Sequence, residues 1–233
     1  MSEVMQLKAA DGHTLDAYLA QPPGNPKAGI VVVQEIFGVN THIRSVANGF
    51  AKDGYLTIAP ALFDRARRHV EYKYDQTGMD EGYAIVKGLS LEDTLADIQA
   101  AVAYLRQQPG IHKVGVVGYC WGGTLAWLSN TRLHVDATVS YYGGGIQNYI
   151  TEKSTRPAIF HFGLLDTHIP QTVAEQVRRE HPGYAVYTYE GAGHGFNCDA
   201  RDSYNKEASA LARQRTLAHF EKYLAGASHS IAI

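Results

Sequence analysis

Lys113-Val114-Gly115-Val116-Val117-Gly118-Tyr119-Cys120-Trp121-Gly122-Gly123 is the stretch on which the fold turns. An apolar run leads straight into Gly-x-Cys-x-Gly-Gly, and a helix-compatible stretch follows. The spacing reads as strand, sharp turn, helix. Gly118 and Gly122 carry no Cβ that would collide with neighbouring chain in such a turn. The turn lifts side chain 120 clear of the sheet and sets it at a helix N-terminus, where the dipole and free N–H groups favour a thiolate. Serine is usual at the centre of this motif. Sulfur is the better nucleophile once ionised, so an adjacent base need do less. A buried cysteine in a glycine-rich turn fits the motif alone equally well; its place after an apolar strand favours a nucleophile.

Outward from the turn, strands and helices alternate. On the N-terminal side, Val4 to Ala9 and Thr14 to Ala20 flank Asp11-Gly12 and read as a hairpin. Gly29 to Gln34 is a short apolar run, as expected of a strand covered on both faces. Ile43, Val46, Ala47, Phe50 and Ala51 repeat at helical spacing, with Gly54 at the C-cap. Strand Tyr55 to Ala59 follows. Residues 61 to 89 show poor periodicity and a basic cluster at Arg65, Arg67 and Arg68, so this stretch reads as an excursion over the sheet with room for a short helix. Ser90-Leu91-Glu92-Asp93 is a capping box opening a helix with Leu95, Ile98, Val102 and Leu105 buried, ended by Pro109-Gly110. Beyond the turn, strands are expected at Lys113 to Val117, Val135 to Tyr141, Arg156 to Phe162 and Tyr184 to Tyr189. Helices are expected near Trp121 to Ser129, Gln171 to Glu180 and Tyr204 to Leu224, the last with Leu211, Leu217, Phe220 and Leu224 on one side and Gly226 after it. The pattern predicts an α/β fold, a mostly parallel central sheet with helices on both faces. With no repeat or linker, residues 1–233 read as one domain.

Composition narrows the function classes. A formal net charge of −2 gives no electrostatic case for nucleic acid or an anionic membrane. No run of about 18 apolar residues exists to span a bilayer. The start, MSEVMQLKAADGHTL, does not read as a signal peptide. Two cysteines, Cys120 and Cys198, make no disulfide scaffold, so a reduced, cytoplasmic protein is expected. No Cys/His pairs show metal-ligand spacing, and no metal or other cofactor is expected.

A nucleophile in such a turn needs an acid and then a histidine further along the chain. Gly163-Leu164-Leu165-Asp166 follows one predicted strand, and Gly191-Ala192-Gly193-His194-Gly195-Phe196 follows another. Asp166 can accept the Nδ1–H of a histidine and fix its tautomer; a helix-capping role is the alternative. His194 has flanking glycines that let its loop reach the sulfur. His168 is the best rival but follows Asp166 too closely to face it. His161, inside a strand, reads as core, and the remaining histidines, His42 among them, read as surface. The oxyanion-hole donors are expected to be the N–H of Trp121 and, from the loop Gln34-Glu35-Ile36-Phe37-Gly38-Val39-Asn40, the N–H of Ile36.

Taken together, QEIFGVN at 34 to 40, GYCWGG at 118 to 123, GLLDTHIP at 163 to 170 and GAGHGF at 191 to 196 resemble the dienelactone hydrolase family, of the α/β-hydrolase fold. The resemblance covers almost the whole length, with all four motifs in order. It implies Cys120, Asp166 and His194 as the triad of an enzyme that hydrolyses esters or lactones through a thioester. It also implies that Glu35 holds the resting thiol inactive until substrate arrives. The family's arginines for a substrate carboxylate are absent: one position is Cys198 here, and the segment from 75 to 85 has none. Arg65 and Arg201 are nearby substitutes. Phe37, Tyr142 and Phe196 are expected in the substrate pocket, beside Trp121. The expected partner is a small ester or lactone, and the protein a monomer or small homo-oligomer. Two other readings stay open: a general carboxylesterase or thioesterase with a neutral substrate, and a non-catalytic or redox-sensing protein on the hydrolase fold.

Overall fold

The strand β3 (Gly29–Val33) is buried along its whole length, and its side chains split by parity. Ile30 and Val32 enter one core cluster, and Val31 and Val33 the other. A strand apolar on both faces needs cover on both. The computed structural model, which describes residues 1–225, supplies it. The helix α1 (Thr41–Lys52) and the last helix pack on the first face, and helices from the 91–106 and 121–132 segments on the second. At about 1.5–3 kcal/mol for each fully buried aliphatic side chain, this double burial fixes β3 at the centre.

The sheet has eight strands in the order β1-β2-β4-β3-β5-β6-β7-β8. They are β1 (Ser2–Lys8), β2 (Thr14–Ala20), β3, β4 (Leu56–Pro60), β5 (Val114–Tyr119), β6 (Ala137–Tyr141), β7 (Ala158–Gly163) and β8 (Ala185–Tyr189). The β1–β2 hairpin joins the edge of β4 antiparallel; β3 to β8 are parallel. The remaining helices are α2 (Gln76–Gly88), α3 (Leu91–Arg106), α4 (Trp121–Arg132), α5 (Gln171–Glu180) and α6 (Lys206–Phe220). The α/β fold expected from the alternating pattern is thus present. Among the described residues, no helix is long and apolar enough to cross a membrane.

The winding reverses at β3, which has β4 on one side and β5 on the other. Loops leaving β3 and β5 therefore part and open a crevice at the carboxyl ends of the strands. Val33 pairs with Gly118, so the chain after β3 and the turn after β5 meet at this crevice.

Two expectations need correction. The 61–89 excursion holds a 3-10 turn at Leu62–Arg65 and a full 13-residue helix, α2. In α6 the buried residues are Ala208, Ala212, Thr216, His219 and Phe220, while Leu211 is 41% exposed. Small residues at an i, i+4 spacing let the helix sit close to the sheet, so its buried face is not its most apolar one. Gly226 lies outside the described residues.

Candidate active site

The turn between β5 and α4 holds Cys120 at φ 55°, ψ −121°. A side-chain-bearing residue there costs about 1–3 kcal/mol, and the surroundings must over-determine it. They do. The Cys120 N–H donates to Tyr141 O at 3.1 Å, and its carbonyl accepts from Gly123 N at 2.9 Å and Gly144 N at 3.1 Å. A Cβ on Gly118 would lie 1.8 Å from Gly122 O, and one on Gly122 would lie 2.4 Å from Gln34 O. The glycines are thus the condition for the turn to close on the β3 loop. A Cβ on Gly144 would sit 4.0 Å from the Cys120 sulfur and 3.9 Å from Trp121 N, so a bare glycine leaves room at both groups.

The acid loop and the histidine loop are packed backbone to backbone. A Cβ on Gly163 would meet Ala192 O at 2.3 Å, and Leu165 N donates to that same carbonyl at 2.8 Å. Asp166 Oδ1 accepts from the N–H groups of His168 at 2.8 Å and Ile169 at 3.0 Å. Asp166 Oδ2 accepts from His194 Nδ1 at 2.8 Å, because an ionised carboxylate can only accept. His194 Nε2 is 3.1 Å from the Cys120 sulfur. Burial opposes a charge on His194, but the Cys120 sulfur and the Asp166 carboxylate outweigh it and push the imidazole up to about 10. His168 stands 5.0 Å from the His194 ring and serves Asp166 through its main chain.

The first N–H of α4, that of Trp121, has no partner within its helix. The Ile36 carbonyl is pressed by α2: a Cβ on Gly82 would lie 2.0 Å from it. Phe37 O accepts from Tyr72 N at 2.9 Å. The 70–88 segment therefore roofs the loop that carries Ile36.

Glu35 is wholly buried. Its Oε2 accepts from the Tyr74 hydroxyl at 3.0 Å, and its Oε1 lies 3.5 Å from Arg201 Nη1. The thiol bonds to His194, and no hydrogen bond joins Glu35 to it. The resemblance implied a thiol held by Glu35; the arrangement here has the thiol on the base instead. Arg201 lies 5.7 Å from the centre of the Phe37 ring and 5.5 Å from that of Tyr74. Cys120, Glu35 and Tyr142 all favour its charge, against burial.

Arg65 is not in this group. It makes a bidentate bond to the buried Asp97, both contacts at 2.8 Å, and reaches Asp11 at 2.8 Å beside the β1–β2 turn. A buried carboxylate needs that partner, which withdraws Arg65 from any substrate. Phe196 is fully buried among Tyr141, Tyr142 and Tyr189 and is a core residue. Tyr142 is also buried, but its ring is 5.2 Å from that of His194 and its hydroxyl has no hydrogen-bond partner. Phe37 packs against Tyr74 at 4.5 Å. Sequence reasoning missed Tyr74, which binds Glu35, and Tyr83, whose hydroxyl feels Cys120, Arg201 and Asp166. Neither lies in a motif; both come from the excursion that showed no period. His42, expected at the surface, is buried.

Comparison with known proteins places the chain in a family. The family model described as "Dienelactone hydrolase family" matches residues 15–224. The chain is similar to a protein of Synechocystis sp. named "Putative carboxymethylenebutenolidase", with 37% identity over 89% of the chain and 91% of that protein. It is also similar to the carboxymethylenebutenolidase of Pseudomonas putida, at 33% identity over 93% of the chain and 95% of that protein. The crystal structure named "Putative Dienelactone Hydrolase" from Klebsiella pneumoniae superposes with a TM-score of 0.84 at 30% identity, covering 96% of this chain and all of that one.

Proposed function

From the premise that the chain belongs to the dienelactone hydrolase family, we propose that it hydrolyses a carboxylic ester or lactone with Cys120 as nucleophile, through a thioester. One observation carries the reading: an unbroken line of contacts from Asp166 through His194 to the Cys120 sulfur, at 2.8 and 3.1 Å. With its charge supported on both sides, His194 can take the Cys120 proton at Nε2 as the sulfur becomes the nucleophile.

The sulfur adds to the substrate carbonyl, and the carbonyl oxygen takes the negative charge. The N–H groups of Trp121 and Ile36 receive that charge. Collapse of the tetrahedral adduct breaks the bond to the leaving oxygen, which takes the proton from His194 Nε2. Water then attacks the thioester, giving a proton to the now neutral His194, and the thiolate leaves. Asp166 holds the ring and supports its charge throughout. The Tyr142 ring stands 5.2 Å from that of His194, and its buried hydroxyl is without a hydrogen-bond partner. Glu35 remains the carboxylate we assign to control of the thiol; its single bond from Tyr74 and its closeness to Arg201 correspond to a released state.

The test is rapid quenching during turnover of an aryl ester, with mass spectrometry of the protein. A single acyl adduct should appear on Cys120. Turnover with an adduct on another residue, or with none at the shortest times, counts against the thioester route.

A charged substrate is favoured by one further observation: Arg201 is the cation beside Glu35 and within electrostatic reach of Cys120. For an ester bearing a carboxylate, Arg201→Met should lower kcat/KM by about 10- to 100-fold, the worth of a charged hydrogen bond. A neutral aryl ester should change by less than about 3-fold by the same argument. Equal losses on both substrates would remove Arg201 from substrate recognition.

A further inference from the structure

Behind the β3 loop, three potential ligand side chains face one another without being bonded to one another. A carboxylate oxygen of Glu35, a ring nitrogen of His42 and the Cys198 sulfur all lie within 4.8 Å of one another, and all three residues are buried. Part of their capacity is unused. His42 Nε2 has no hydrogen-bond partner although its side chain is only 6% exposed, and Glu35 Oε1, wholly buried, has no hydrogen bond and only the Arg201 guanidinium at 3.5 Å. A buried acceptor left without a hydrogen bond is costly, so the group calls for an occupant.

A carboxylate stands beside the His42 ring. Its Nδ1 lies 3.4 Å from the exposed carboxylate of Asp199. A carboxylate on one nitrogen fixes the tautomer that leaves the other as a bare lone pair, the arrangement found behind metal-bound histidines. Two surface pockets come as far as His42, one lined also by Asn197, Asp199 and Tyr204 and the other by Tyr74, Asp199 and Ala200.

We propose that Glu35, His42 and Cys198 form a binding site for a divalent ion of the zinc class, with a fourth position open to water. One sulfur, one nitrogen and one oxygen donor suit such an ion better than calcium or magnesium, which take oxygen alone. Bond lengths of about 2.0–2.3 Å put tetrahedral donors about 3.3–3.7 Å apart, so the group need close by no more than about 1 Å. On binding, the thiol proton of Cys198 leaves to solvent and the sulfur bonds the ion; no electron moves. Arg201, near Glu35 Oε1, is the opposing charge, and the Cys198 thiolate formed on binding offsets it. Sequence spacing could not reveal this site, since its ligands come from the β3 loop, α1 and the histidine loop. An ion there ties those three segments together and holds Glu35 away from the thiol.

The experiment uses the full chain in a Cys120→Ser background, which removes the other thiol, and Co²⁺ as the probe. One equivalent should give a thiolate-to-cobalt charge-transfer band and the visible bands of a tetrahedral ion. Cys198→Ser should abolish the charge-transfer band, and His42→Gln should weaken binding at least tenfold. Far-UV circular dichroism and apo unfolding midpoints check that each variant folds. If Cys198→Ser does not fold, His42→Gln and Glu35→Gln carry the same test through affinity. The site is refuted by an absent charge-transfer band at excess Co²⁺ in the Cys120→Ser protein, or by affinity unchanged in the folded ligand variants. Because the nucleophile is already removed, either result leaves the hydrolytic reading untouched.

Discussion

Cys120→Ala protein is expected to fold and to lose at least about 10⁴-fold in kcat/KM on its best ester, the scale seen when a covalent nucleophile is deleted. The reason is local. The sulfur is the one atom of the site placed both 3.1 Å from His194 Nε2 and beside the free N–H that begins α4. Among the described residues, Cys120 is the one thiol or hydroxyl hydrogen-bonded to the His194 ring. Burial, and then the charge of the nearby Glu35 carboxylate, push the Cys198 thiol up to about 11 and keep it protonated. Alanine accepts the same backbone strain as cysteine, so stability should change little. Steady-state kinetics settle the matter: an alanine variant within tenfold of the parent would remove Cys120 from the chemistry.

Gly118→Ala should be the most damaging single methyl in the molecule. The added carbon would lie 1.8 Å from Gly122 O, 2.3 Å from Gly122 C and 2.9 Å from Gly123 N. All three are backbone atoms of the turn itself, so no side chain can swing away. The turn must open or the strand must shift, and either breaks the over-determined geometry at Cys120. We expect a loss of more than about 4 kcal/mol, at the far end of what single substitutions do. The internal standard is Gly183→Ala, where a Cβ meets nothing within 4 Å. That variant should stay within about 1 kcal/mol of the parent. Denaturant midpoints of the two proteins compare the cases directly, and similar midpoints would mean that the close approach at Gly118 carries no energetic weight.

Much of this molecule is legible in its sequence because the signals are of the kind burial leaves behind. β3 reads as a strand from five consecutive buried residues. α3 reads as a helix from Ser90, whose side chain does accept from Asp93 N. The loops bearing Cys120 and Asp166 are legible because backbone contact forces glycines on them, at Gly118 and Gly163, and the His194 loop because Gly191 and Gly195 take positive φ. α2 escaped for the opposite reason. Its buried residues are Gly78, Gly82 and Ile85. Two of the three are chosen for lacking a side chain: a Cβ would strike Lys73 O at 2.1 Å or Ile36 O at 2.0 Å. A face made of absent atoms carries no hydrophobic period. Tyr74 and Tyr83 were lost with it. Arg65 and Arg201 looked alike in sequence, and only the position of Asp97 separates a structural arginine from one near the thiol.

The bonds around Asp166 limit how this site can be turned off. Both carboxylate oxygens are committed, one to two main-chain N–H groups and the other to His194. The carboxylate cannot pivot without giving up main-chain partners, and the ring it holds cannot turn without losing the carboxylate. The acid and base thus behave as one stationary fixture. What remains mobile in the line of contacts is a single torsion, the Cα–Cβ rotation of Cys120. Any control of turnover that acts inside the site, through Glu35 or otherwise, has that one bond to act on, and regulation becomes a question of which way a sulfur points.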